Sequence, residues 1–147
     1  MEYEELRDAL RARPDLEAGT PPQLEEVDRA ARRLGDLPKD YRAFLEDFGW
    51  VSLGPHEVFG LGVDIPPYLD VVRVNESERT EGQLPRHLVA VMNDGAGNLS
   101  CIDLTATSEG DAQAVVLWDH ETSPSEGPIP LATTFSELLG RVLLPPP

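Results

Sequence analysis

At 147 residues, 40% hydrophobic and with a formal net charge of −15, the chain can bury one real core. It is too acidic to hold nucleic acid phosphates or an anionic membrane, which require clustered Lys and Arg. Its apolar runs are too short for a bilayer, its start (Met1-Glu-Tyr-Glu-Glu) lacks the basic and apolar parts of a secretory signal, and its single cysteine, Cys101, excludes an internal disulfide. One cytoplasmic domain over residues 1–147 is expected, a monomer or weak homo-oligomer, with its core from about 20 to 144 and a frayed tail at 145–147.

A first helix is predicted from Glu2 to about Ala12, with Tyr3, Leu6 and Leu10 on one face, broken by Arg13-Pro14. A T-x-x-Q capping box from Thr20 to Gln23, with Pro21 at the first helical position, predicts the start of a second helix. Leu24, Val27, Ala31 and Leu34 give that helix a buried stripe, and Gly35 stops it. The third helix, Leu37–Trp50, opens with Pro38, stacks Tyr41, Phe44, Leu45 and Phe48 on one face, and closes on Gly49. Four of the nine aromatic residues lie in this stretch, so it is expected to anchor the core.

From Val51 the pattern becomes short pieces punctuated by Gly and Pro. Strands are predicted at Glu57–Leu61, Leu88–Met92, Leu99–Leu104 and Ala114–Trp118. The second and third form an antiparallel hairpin across Asn93-Asp94-Gly95-Ala96-Gly97-Asn98, a turn able to supply positive φ angles. Residues 68–80 mix a β-branched start with charges at helical spacing and are read as a helix. A second capping box, Thr134 to Glu137, opens a final helix that buries Phe135, Leu138, Leu139 and Val142. Helices, then antiparallel strands, then a closing helix make an α+β fold, an antiparallel sheet packed against N-terminal helices and a C-terminal one.

The acidity is uneven. Residues 1–50 carry 8 basic and 13 acidic side chains, residues 51–147 carry 4 and 14, and no Lys or Arg occurs between His87 and Gly140. Such a surface steers a basic partner toward it; it also serves solubility alone, and both readings stand.

Three stretches carry a family pattern: Leu37-Pro-Lys-Asp-Tyr-Arg-Ala-Phe-Leu, then Val58-Phe-Gly-Leu-Gly, then Val91-Met-Asn-Asp-Gly-Ala-Gly-Asn-Leu-Ser-Cys-Ile-Asp103 with Val116-Leu-Trp-Asp-His-Glu121. In this order and spacing they resemble the SUKH superfamily, also called the Smi/Knr-like domain, over about Thr20 to Leu144. The resemblance implies antiparallel strands packed on helices and a role in binding proteins. Small stand-alone bacterial members of that family resemble immunity proteins, which bind and neutralise a cognate toxin, often a nuclease; others act in eukaryotic cell-wall regulation as interaction domains. Leu37, Pro38, Tyr41, Phe44 and Leu45 match the pattern and are assigned to the core.

Catalysis finds little support, and no catalytic residue is expected. Ser100, Cys101 and the three histidines (His56, His87, His120) fall in no nucleophile motif, and Cys101 is expected to be a small core residue. Asp119-His120-Glu121, with Asp94, Asn98 and Asp103, offers possible metal ligands, yet lacks both the alternation of a calcium loop and the paired spacings of a zinc site, so no metal or other cofactor is expected. Gly60-Leu-Gly62 and Gly95-Ala-Gly97 are incomplete phosphate motifs, better explained as backbone turns.

Protein binding remains: an acidic surface engaging a basic partner, such as the cationic groove of a toxin domain. The candidate contacts are Glu57, Asp64, Asp70, Glu76, Glu78, Asp94, Asp119 and Glu121, each otherwise a solvated charge. Trp50, Tyr68 and Trp118 are candidate aromatic anchors, each otherwise buried. The alternative partner is a cellular protein bound by a regulatory adaptor, and a small metal-dependent enzyme is the third reading.

Overall fold

The computed structural model describes residues 2–107, 113–119 and 128–145. Helix α1 (Tyr3–Arg11) buries Leu6 and Leu10 completely, four residues apart and so on one face. A two-residue strand β1 (Glu17–Ala18) precedes helices α2 (Leu24–Leu34) and α3 (Lys39–Phe48). The capping box expected at Thr20 does not form. Helix α2 starts only after Gln23, which is extended (φ −75°, ψ 156°) and makes no side-chain cap. Pro21-Pro22 explains the shift, because each proline drives the residue before it out of the helical region. Pro38 likewise stands one position outside α3, while Gly49 ends that helix at φ 77°, a left-handed geometry that favours glycine.

The aromatic face of α3 lies in the core, as its spacing predicts: Tyr41, Phe44 and Leu45 are fully buried. Phe135 of helix α5 (Phe135–Leu143) wedges edge-on against Tyr41 and Phe44, with ring centroids 5.0 and 5.4 Å apart, a favoured arrangement of aromatic quadrupoles. Asp40 completes the joint. Its Oδ2 accepts hydrogen bonds from the Ser136 N–H and hydroxyl, both at 2.9 Å, tying α3 to the first turn of α5. Thr134 caps α5 through the Glu137 N–H at 3.0 Å, as its capping box predicts, but Glu137 reaches back to the Thr133 N–H instead of that of Thr134. Leu143 is the buried residue of the last turn where Val142 was expected; Val142 is only partly buried.

Strands β2 (Val51–Leu53), β3 (His56–Val58), β4 (Leu88–Asn93), β5 (Leu99–Thr107), β6 (Gln113–Trp118) and β7 (Ile129–Ala132) join β1 in one seven-stranded antiparallel sheet. The strand order follows the chain order from β1 to β7, so every connection is local and the fold is α+β. The sequence signalled neither β1 and β2, which are two and three residues long, nor β7. Pro130 sits in β7, which has a neighbour on one side only among the described residues and so can spare a ladder donor. From Leu88 to Met92 every residue of β4 is buried, which places both faces of the sheet centre under cover. Residues 68–80 are helical: a 3₁₀ turn at Pro67–Leu69 leads into α4 (Val71–Thr80).

Candidate functional site

Helix α4 fixes the geometry of a groove on the surface. Strand β3 pairs with β4 only at its far end, Glu57 opposite Asn93 and Val58 opposite Met92. After the Phe59 N–H bonds the Val91 carbonyl at 2.8 Å, the chain turns away. That departure leaves the outer edge of Ala90 without a strand, and a buried unpaired peptide group costs about 1–3 kcal/mol. Asn75 takes the missing place. Its Nδ2 donates to the Ala90 carbonyl at 2.9 Å and to Val71 O at 2.7 Å, and its Oδ1 accepts the Ala90 N–H at 2.7 Å. One turn on, Arg79 donates to the carbonyls of Arg86 and Leu88 at 3.2 and 3.3 Å. Val71, Asn75 and Arg79, spaced by four, are thus the back of α4.

The front of α4 walls a groove of about 750 Å³. Phe59, Asn93 and Leu99 come from the sheet side, Pro67 and Tyr68 from the 3₁₀ turn, and Arg73, Val74, Glu76, Ser77, Glu78, Thr80 and Glu81 from α4 and its cap. Tyr68 is 62% exposed, an unusual setting for a large aromatic ring. The floor is tied to the core, since the buried Tyr41 hydroxyl donates to the Phe59 carbonyl at 2.8 Å. Burial, with the Asp70 charge adding, pushes the Tyr41 phenol well above its ordinary range, so it stays a donor. Gly60 then lets the chain pass: a Cβ there would lie 1.6 Å from the Gly49 carbonyl oxygen.

The rim is built from the β4–β5 turn. Asn93 Nδ2 donates to Glu57 at 2.8 Å, and Asn93 Oδ1 accepts the Gly95 N–H at 3.1 Å. Asp94 gathers the Ala96 N–H, the Asn98 N–H and the Asn98 side chain at 2.8, 3.3 and 3.1 Å. Partial burial works to raise its pKa, but these donors prevail and hold it below the ordinary carboxylate value. Opposite Leu99 in the ladder stands Trp118, whose buried Nε1–H has no hydrogen-bond partner among the described residues.

On the other side of the Arg73–Glu76 ridge lies a smaller cleft of about 320 Å³ between α2 and α4. Arg29, Arg33 and Arg73 line it together with Glu26, Asp70 and Glu76, and Arg33 is ion-paired with Glu76. The charge therefore differs across α4: three arginines and three acids line the cleft toward α2, whereas Arg73 is the one basic residue beside Glu76, Glu78 and Glu81 in the groove.

A family model described as SMI1-KNR4 cell-wall, SUKH_6, matches residues 25–139. The chain belongs to the SUKH superfamily. A crystal structure of a protein from Pseudomonas syringae pv. tomato resembles this SUKH domain over 96% of its length and 94% of the other chain, with 18% identity and a TM-score of 0.65, a likeness of fold. No curated protein matches the sequence.

Within the SUKH domain, the groove brings together three of the residues singled out from the sequence, Tyr68, Glu76 and Glu78. Glu57 joins them through Asn93, and Trp118 through Leu99. Asp70 lies in the smaller cleft and has a local task, accepting the Val72 and Arg73 N–H groups at 3.0 and 3.1 Å as the N-cap of α4. Asp64 stands exposed in the loop before the 3₁₀ turn at φ 62°, apart from the groove lining. Asp94 is occupied by its own turn. Asp119 is half-buried just after β6, and Glu121 and His120 lie outside the described residues. Trp50, expected as a possible anchor, is 9% exposed, and its ring fills the space beside Gly19; it belongs to the core. Arg73, Val74, Ser77 and Glu81 were not singled out, although their spacing on a helix over 68–80 would have found them. Among the described residues no group of three or more His, Cys, Asp or Glu side chains is placed to hold a metal ion. No helix there is long and apolar enough to cross a membrane.

Proposed function

We propose that this SUKH domain is a non-catalytic immunity protein that binds a cognate toxin domain, of the nuclease class, and blocks its basic substrate surface. The observation carrying this reading is the groove beside α4, lined by an exposed tyrosine at one end and by Glu76, Glu78 and Glu81 along the helix, on a chain of net charge −15. A neutralising complex needs nanomolar affinity, about −12 kcal/mol, and long-range charge mainly quickens encounter. An apolar anchor has to supply much of the remainder, and Tyr and Trp are the residues most often found in that role. Tyr68 is the exposed aromatic of the same groove. Cytoplasmic residence follows from the same reading, since an immunity protein must meet a toxin that has reached the cell interior.

The test is co-expression with the protein encoded next to it. Growth rescue together with a recovered one-to-one complex supports the reading; continued killing with no complex refutes it. The on-rate should fall steeply as salt rises through the physiological range, and a salt-independent on-rate removes acidity from the explanation. The family's cell-wall description favours a second reading, a regulatory adaptor for a cellular protein. An adaptor retains its partner in cells that make no toxin, an immunity protein does not.

A further inference from the structure

We infer that the groove beside α4 receives an extended, arginine-bearing segment of the partner, seated with its apolar end at Tyr68 and its cations at Glu78 and Glu81. This rests on the reading above that the partner is a basic protein, and adds the place, the shape and the polarity of the contact. Three observations converge on it. The walls differ along their length: Pro67, Tyr68 and Val74 give apolar contact at one end, and the half-buried Glu78 and the exposed Glu81 stand at the other. The carboxyl end of α4 points the same way, since the last carbonyls of a helix carry partial negative charge that favours a cation. Arg79, the one basic residue of its final turn, is turned to the back, donates to the Arg86 and Leu88 carbonyls and does not line the groove.

Size sets the form of the ligand. Helix α4 has ten residues and is therefore about 15 Å long, which four or five extended residues span. A helical ligand filling the same length would need about ten residues, nearly three turns, and an isolated helix that short is marginal in water. Arginine fits better than lysine, because its planar fork pairs with carboxylates bidentately. Arg73 at the opposite end repels a cation and so fixes the direction of the segment.

The probe is a capped pentapeptide, Leu-Ser-Gly-Arg-Arg, titrated into the ¹⁵N-labelled full chain, with Lys-Lys and Glu-Glu versions as comparisons. Amide shifts should concentrate at Phe59, Tyr68, residues 73–81, Asn93 and Leu99, and the affinity order should be Arg, then Lys, with Glu silent. Y68A should weaken binding at least tenfold while Y68F largely retains it, and E81Q, at an exposed position where folding is undisturbed, should weaken it about threefold. No shift at roughly 10 mM peptide, an interaction weaker than about −3 kcal/mol, overturns the proposal. Shifts spread over β5 and β6 overturn it too, as does equal binding of the Glu peptide. Concentration-dependent shifts of the groove residues without peptide give the groove to a second copy of the chain and likewise overturn it. The two readings fail separately. Toxin neutralisation that Y68A and E81Q leave intact removes the groove and keeps the immunity role; peptide seated in the groove without any protection from a neighbouring toxin does the reverse.

Discussion

Replacing Asn75 by leucine tests whether a side-chain amide stands in for a strand. Asn75 is wholly buried, and leucine has a similar volume, so packing changes little while three hydrogen bonds of 2.7 to 2.9 Å disappear. The Val71 carbonyl keeps its place in the helix. The Ala90 N–H and C=O do not recover, because β3 has already turned away and no water reaches a fully buried edge. Two buried peptide groups left unpaired, at about 1–3 kcal/mol each, offset by the apolar gain of leucine, give a net loss of about 3 kcal/mol. For a chain of this length that lowers Tm by roughly 6–12 °C. Urea unfolding gives the free energy, and native-state hydrogen exchange gives its location: the Ala90 amide should lose most of its protection while Ile102 and Val115 keep theirs apart from the global loss. A free-energy loss below about 1 kcal/mol with Ala90 still protected would refute the substitution of strand by side chain.

Gly60→Ala should prevent soluble folding, since its Cβ would lie 1.6 Å from a backbone oxygen; Gly54→Ala, at φ 60° with open space around it, should cost only about 1–2 kcal/mol in the same thermal melt. Asp40→Ala should destabilise by about 2 kcal/mol and fray the start of α5, read as faster exchange of the Ser136 amide, and an unchanged melt would show that the bonds to Ser136 do not couple the helices. Burial, with Glu78 adding, raises the Cys101 thiol to about 12 from an ordinary 9.0. Folding thus favours the neutral thiol, and this contribution is complete below pH 9.0 and lost as pH rises toward 12. A thiol reagent at pH 8 should therefore react only as fast as the chain opens, and reaction at the rate of a free thiol would overturn the buried placement.

Much of the scaffold was legible because periodicity and caps act locally. The aromatic stripe of α3, Thr134 before α5, the positive-φ glycines of the β4–β5 turn and the inward Cys101 all follow from rules spanning a few residues. What escaped depends on neighbours distant in sequence. Strands β1 and β2 are too short for a pattern, and Thr20 mimicked a cap that the doubled proline forbids. At the candidate site, Tyr68, Glu76 and Glu78 were found as single residues. Their grouping was not visible, because it needs Phe59, Asn93 and Leu99 from three other segments. The cross-link from Asp40 to Ser136, 96 residues away, has no signature in either segment alone. Asp70 and Asp94 were read as surface charges because the sequence does not reveal that backbone amides already claim them.

Helix α4 divides its residues between two independent jobs. Asn75 and Arg79 are held to the edge of β4 by side-chain hydrogen bonds, and Val71 is fully buried one turn before them. Arg73, Ser77 and Glu81 line the groove, and among the described residues no side-chain hydrogen bond ties them to the sheet. Changes on the outward side leave the fold almost untouched, so the surface can be rewritten quickly while its mounting stays fixed. Under the proposed immunity role, a rigid bracket carrying an exchangeable face would let the protein follow an altered toxin without refolding.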